Sequence, residues 1–298
     1  MNTLQLDEQM LLAANNLPLL AKQLMAGYMQ GLHRSPFRGA SQEFATFRPY
    51  LPGDSIRDID WKVWGRSDNL FVREYEEETN FRGYLFLDAS KSMDFGDGPH
   101  HKFTYAKILC ATLALIMKNQ KDAPGLALLG EPSAESEMGF LAPSTRADHF
   151  DQLMFCLQEL SADGPSDNLL DAAAKVEVCG NRAVSILFSD GFFPLEQGRR
   201  MLEQLRLRNH DTIFFHLLSP QEMEPQFDDD MIMVDSETGR ELSVDGVAMR
   251  DPYRKKLEEF LASIRRMCLA AETEYQLIVT DEPIEEALRK YLEMREAR

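Results

Sequence analysis

The sequence predicts an α/β fold built on a doubly wound, mostly parallel sheet, with a small β subdomain near the N-terminus. Two apolar runs of strand length carry the prediction: Tyr84-Leu-Phe-Leu-Asp88 and Val184-Ser-Ile-Leu-Phe-Ser189-Asp190, each stopping at a carboxylate. Strands buried on both faces read as such near-continuous runs. Between and after them, apolar strand patterns alternate with helical ones, the signature of a parallel sheet covered by helices on both sides. Sheets of this kind keep their functional sites at the strand tips.

Taken in order, residues 3 to 33 predict helix, because Leu4, Leu11, Leu12, Leu17, Leu20, Leu24, Met25, Tyr28 and Leu32 recur near helical spacing, with Pro18 as a break or kink. Ser35-Pro-Phe-Arg-Gly-Ala40 reads as a linker. Residues 41 to 80 combine alternating apolar positions with a Pro52-Gly53-Asp54 turn and a Ser67-Asp68-Asn69 turn, which predicts short strands. Within this stretch Arg48, Arg57, Lys62 and Arg66 stand beside Asp54, Asp58 and Asp60, and a structural salt-bridge network is expected. The chain thus divides into an N-terminal helical segment (1–35), a small β-rich subdomain (36–80) and a main domain (81–298).

Main-domain helices are expected at 103–119, 150–160, 195–207, 251–271 and 284–295, with another opening at Leu169. Strands are expected at 125–130, 138–141, 212–218 and 275–279 besides the two that end in Asp. The span 220–246 interrupts the alternation with two short apolar runs and acidic turns, a hairpin-like excursion.

The first carboxylate strand runs into Asp88-Ala-Ser90-Lys-Ser92, the pattern D-x-S-x-S. A hard divalent cation wants oxygen ligands in near-octahedral array, and these three side chains offer three oxygens as the chain turns. The second strand brings Asp190 to the same end of the sheet, and Gly164-Pro-Ser166-Asp167-Asn168 is a third oxygen-bearing loop. Here the chain resembles the von Willebrand factor A domain and its metal-ion-dependent adhesion site. The resemblance implies that Asp88, Ser90, Ser92 and Asp190 hold Mg2+, Mn2+ or Ca2+, with an open position for a partner's carboxylate. It also implies a middle-loop Thr, where this chain has Ser166 or Asp167. Ser166 preserves the hydroxyl; Asp167 would add a charge.

A narrower resemblance lies upstream. Arg48-Pro-Tyr-Leu-Pro-Gly-Asp54, Ile56-Arg-Asp-Ile-Asp-Trp-Lys62 and Leu70-Phe-Val-Arg-Glu-Tyr-Glu-Glu-Glu78, followed by D-x-S-x-S, are similar to the bacterial family called domain of unknown function 58. That family carries a von Willebrand A-like domain and commonly accompanies MoxR-type AAA+ ATPases. The resemblance implies such an ATPase, or a client that it remodels, as partner. Many relatives carry membrane segments ahead of this block; here none is seen, and a soluble member is implied.

Composition narrows the function classes. A net charge of −17 repels phosphate backbones and anionic lipid heads, so general nucleic-acid or membrane-surface binding is not expected. No run reaches the roughly 18 apolar residues of a membrane span, and no signal peptide is seen, so the expected compartment is the cytoplasm. Cys110, Cys156, Cys179 and Cys268 lack zinc or redox spacing and read as small buried thiols, while His100 and His101 read as exposed loop. The expected function is a non-enzymatic, metal-dependent protein-binding module. The alternative is a metal-assisted hydrolase acting on phosphate esters. Against it, D-A-S-K-S has no second carboxylate two residues on for acid-base work, and neither a phosphate-cradling G-x-x-x-x-G-K loop nor a G-x-S-x-G nucleophile turn occurs.

Overall fold

A computed structural model describes residues 17–18, 20–22, 24–25, 46–49, 71–74, 81–130, 139–165, 169–177, 182–226, 230–234 and 241–289. The chain forms two compact units, one of residues 32–80 and one of residues 1–31 with 81–298. In the smaller unit, β1 (Thr46–Pro49) pairs antiparallel with β2 (Phe71–Glu74). The salt-bridge network expected among Arg57, Lys62, Arg66 and their Asp partners lies outside the described residues.

The larger unit is organised by a six-stranded sheet. Its strands are β3 (Arg82–Asp88), β4 (Ala123–Leu129), β5 (Phe140–Leu141), β6 (Val184–Ser189), β7 (Asp211–Leu218) and β10 (Glu274–Val279), in the spatial order β10-β7-β6-β3-β4-β5. Every pairing is parallel except that of the short edge strand β5 with β4. From β3 the chain first steps outward to β4, then returns to lay β6 on the other side of β3. That reversal opens a crevice beyond the carboxyl ends of β3 and β6, where doubly wound sheets bind their ligands. The fold class is therefore the one the sequence predicts, an α/β fold on a doubly wound, mostly parallel sheet.

Side-chain alternation along each strand splits the core into two layers. Leu85 and Leu87 of β3, Leu126 and Leu128 of β4, and Ile213, Phe215 and Leu217 of β7 bury on one face against α1 (Lys102–Asn119) and α2 (His149–Glu159). Leu17, Leu20, Ala21 and Leu24 enter the same layer. Tyr84 and Phe86 point the other way, toward α3 (Leu169–Glu177) and α4 (Leu195–Leu207). Each fully buried Leu or Phe in these layers contributes roughly 1.5–3 kcal/mol relative to exposure. Helix α1 is buried on nearly every side, as its sequence predicts.

After β7 comes the single-turn α5 (Pro220–Met223), then an antiparallel ribbon of β8 (Asp230–Val234) and β9 (Glu241–Asp245), then α6 (Gly246–Ala270). Helix α6 starts at Gly246, not at Asp251 as expected from the sequence, and residues 284–289 after β10 are helical as expected. The N-cap of α6 is Asp245, whose carboxylate accepts from the Ala248 amide at 3.2 Å, so nucleation precedes the proline. His100 and His101 are half-buried rather than exposed loop. His101 caps α1 by accepting from the Thr104 amide and lies 3.0 Å from Asp94, while His100 Nδ1 lies 3.2 Å from the Thr280 carbonyl. Cys110 and Cys268 are buried thiols and Cys156 is half-buried, whereas Cys179 lies outside the described residues. Among the described residues no helix is long and apolar enough to cross a membrane.

Candidate metal-ion site at the strand tips

Asp88 is the last residue of β3, and Asp190 follows β6 directly. Because the two strands are neighbours in parallel register, with Leu87 opposite Phe188, their tips deliver both carboxylates to one crevice. Both residues are buried, Asp88 at 4% and Asp190 at 0% exposure. The loop after Asp88 is wound into a short 3-10 turn (Lys91–Met93) that turns Ser90 and Ser92 to the same side.

A continuous chain of oxygen contacts results. Ser90 Oγ lies 3.0 Å from Ser92 Oγ, and Ser92 Oγ donates to Asp190 Oδ1 at 3.2 Å. On the far side Asp88 is held through both oxygens: the Ser90 amide donates to Oδ1 at 2.9 Å, and Ser189 Oγ donates to Oδ2 at 2.5 Å. Four residues that the sequence singles out, Asp88, Ser90, Ser92 and Asp190, are thus brought together. Ser166 and Asp167 lie outside the described residues. The backbone leading to them is anchored at the site, since Gly164 bridges to Ser90, accepts from the Lys91 amide at 3.0 Å and donates to the Ala89 carbonyl at 3.0 Å.

This donor set fits a hard divalent cation. The 3.0 Å between the two hydroxyl oxygens matches adjacent corners of an octahedron with ligands at about 2.1 Å, the distance Mg2+ prefers. The electrostatics agree. Burial first, and then the neighbouring charge of Asp190, push the Asp88 carboxyl up to about 6, against the hydrogen bonds from Ser189 and Ser90 that pull it down. Two buried like charges raise each other's cost, and a divalent cation between them would relieve it. Hydroxyls are essential to such a site, because among the described residues no three His, Cys, Asp or Glu side chains form a metal-holding group.

Three neighbours were not picked out by sequence reasoning. Ser189 orients Asp88 and also accepts from the Gly191 amide at 2.9 Å. Lys102, the first residue of α1 and 0% exposed, donates to Asp190 Oδ2 and to Glu222 Oε1, both at 2.7 Å. Glu222 sits in α5, where its other oxygen accepts from the Ser219 amide at 2.7 Å in a capping box. A signal for Lys102 is present in the sequence: helical phase places it on the same face as Ala106, Leu109 and Leu113, all buried. Glu222 has only the S-x-x-E cap pattern to mark it. Behind Asp190, buried His216 lies with Nε2 2.7 Å from its carbonyl and Nδ1 2.8 Å from the Tyr275 hydroxyl. Burial lowers His216 to about 4, so the ring is neutral at pH 7 and donates from Nε2.

Comparison with known proteins agrees with the site-bearing region of the chain. The family described as "Protein of unknown function DUF58" matches residues 46–262, well over half the length. The chain belongs to the DUF58 family. Uncharacterized proteins of Mycobacterium tuberculosis and Mycobacterium bovis are each 25% identical to this DUF58 chain over 266 residues, covering 87% of it and 81% of their own length. Among solved structures, the conserved hypothetical protein BatB from Bacteroides thetaiotaomicron has a TM-score of 0.43 at 11% identity, covering 73% of this chain and 100% of its own. The SpRpn10 VWA domain has a TM-score of 0.38 at 11% identity, covering 70% and 94%.

Proposed function

We propose that this DUF58 protein is a non-enzymatic, cation-dependent protein-binding module that docks a partner's carboxylate at the tips of β3 and β6. The observation that carries the reading is the oxygen chain of Ser90, Ser92 and Asp190 beside a second buried carboxylate, Asp88. A bound Mg2+ would supply positive charge and a coordination position for an acidic side chain from outside. Ser90 and Ser92 would contribute hydroxyl oxygens, Asp88 and Asp190 the compensating charge, and the Gly164 backbone would fix the loop. Ser166 completes the proposed set, with Asp167 as its substitute.

The rim of the crevice supports protein binding over small-molecule chemistry. Phe95 and Phe192, whose rings lie over the Lys102 ammonium that holds Asp190, are 42% and 46% exposed. Half-exposed aromatics around a polar anchor are the composition of a protein interface core. For the partner we propose a MoxR-type AAA+ ATPase or its client, on the family resemblance carried by the Arg48–Lys62 block. The hydrolase alternative has less support, since among the described residues the carboxylates beside the two serines, Asp88 and Asp190, are engaged by Ser90, Ser189, Ser92 and Lys102.

Isothermal titration of Mn2+ into chelator-stripped protein tests the site, and pull-down of the ATPase with and without chelator tests the function. Ser90→Ala, which removes one ligand from a buried position and little volume, should weaken Mn2+ binding at least about tenfold and weaken capture of the ATPase in parallel. Capture that is unchanged by chelator and by Ser90→Ala would sink the cation-bridged reading.

A further inference from the structure

Lys102 breaks a local rule. The first turn of an α-helix carries positive partial charge from unpaired amides, which disfavours a cation there, and α1 has no acidic residue in that turn to compensate. The side chain is nonetheless wholly buried. Burial alone would lower its proton affinity, yet Asp190 and Glu222 outweigh that and hold the ammonium above its usual range. The rings of Phe95 and Phe192 lie 5.4 and 5.6 Å from Nζ and roof it over. A fixed positive charge is therefore built against one of the two carboxylates of the cation site.

We propose that Lys102 is an internal competitor for the cation, a tethered charge that holds Asp190 Oδ2 and sets the site's affinity for divalent ions low. The inference rests on the cation site proposed above. Asp190 has two oxygens at stake: Oδ1 accepts from Ser92, within the oxygen chain, and Oδ2 accepts from Lys102. The ammonium neutralises the charge that a divalent ion would seek, and it repels that ion from within hydrogen-bond reach of a shared carboxylate. Glu222 makes the arrangement reversible. Lys102 can give up Asp190 Oδ2 and keep Glu222 Oε1, so its charge stays paired when Asp190 turns to the cation. Glu222 is itself held by the Ser219 cap, and its carbonyl accepts from the Tyr253 hydroxyl of α6 at 2.7 Å, which gives Lys102 a rigid second partner. A site tuned in this way stays weak alone and tightens when a partner's carboxylate adds a ligand. That is the behaviour a reversible docking module needs.

The test is Mn2+ titration and thermal melting of chelator-stripped wild type, Lys102→Met, and the double variant Lys102→Met/Glu222→Gln. Lys102→Met frees Asp190 but leaves that buried carboxylate and the half-buried Glu222 without their cation and is expected to melt lower in chelator. The double variant removes one positive and one negative charge together, so it keeps the net charge of the pocket and relieves Glu222. Both should bind Mn2+ at least about tenfold tighter than wild type, because a unit charge has left the side of a ligand carboxylate. Their melting midpoints should also climb more steeply with added Mn2+. If only the variants bind measurably, Lys102 is confirmed as the competitor. If wild type binds and the double variant binds no tighter, the inference is overturned and the cation site stands. If none of the three binds, the site and the inference fall together.

Discussion

Gly164→Ala is expected to unfold or nearly unfold the loop that supports the candidate site, lowering stability by about 3–5 kcal/mol. A Cβ on Gly164 would lie 1.5 Å from the Gly130 carbonyl oxygen and 2.6 Å from its carbon. Both obstacles are backbone, so no rotamer change relieves them. The strand-tip segments must separate, which costs the Gly164-to-Ala89 and Lys91-to-Gly164 hydrogen bonds as well as the packing. Gly130 itself sits at φ +68, a left-handed conformation that suits glycine, so the tip segment is built for two facing glycines. A chain of this size loses about 2–4 °C of melting temperature per kcal/mol, so the midpoint should fall by roughly 10 °C. Mn2+ binding should be lost with it, since Ser90 is the residue bridged to Gly164. Gly98→Ala serves as control: at φ +53 with open space around it, it should cost only about 1 kcal/mol and leave cation binding intact. A Gly164→Ala protein that melts with wild type would show that the tip segments are not locked as described.

That clash also explains why the fold was more legible than the site. Strands such as Leu85-Phe-Leu and Ile186-Leu-Phe announce themselves because burial on both faces writes continuous apolar runs, and the helices between them repeat at helical spacing. D-x-S-x-S and the second strand-end Asp were legible for a similar reason: their chemistry is local to a few consecutive residues. Asp88, Ser90, Ser92 and Asp190 do converge. Long-range polar partners leave no such trace. Glu222 lies 120 residues from Lys102 in sequence and meets it only because α5 follows β7 at the same end of the sheet. Lys102 shares its helical face with Ala106, Leu109 and Leu113, which marks that face as buried, but only three-dimensional packing supplies the Asp190 and Glu222 carboxylates that hold its charge there. The early start of α6 was hidden by Pro252, since a proline in the first turn of a helix is the commoner arrangement and here the proline lies inside it.

The second large effect is a pH response that Asp88→Asn should abolish. Asp88 is raised to about 6 in the folded protein from an ordinary value of 3.8, first by burial and next by the charge of Asp190. A carboxyl raised in this way holds its proton more tightly folded than unfolded. In chelator, the metal-free protein therefore gains stability from this group as pH falls through 6, and the gain levels off below 3.8. Between pH 7 and 5 the increment is about 1.4 kcal/mol, and it approaches about 3 kcal/mol when the proton is fully bound in both states. Other carboxylates also titrate in this range, so the readout is the difference between wild type and Asp88→Asn in urea unfolding at each pH. Asparagine has one acceptor oxygen where Asp88 has two, so it forfeits the donation from either Ser90 or Ser189, at about 1 kcal/mol. That loss is the same at every pH and cancels from the slope. Saturating Mg2+ should turn the wild-type trend over. The cation requires Asp88 ionised, so its stabilisation is greatest at neutral pH and its affinity falls about tenfold per unit below 6. Opposite slopes with and without Mg2+ in wild type, and neither in Asp88→Asn, would tie the raised carboxyl to the cation site. Parallel curves for the two proteins would mean that Asp88 is not the strained member of the pair.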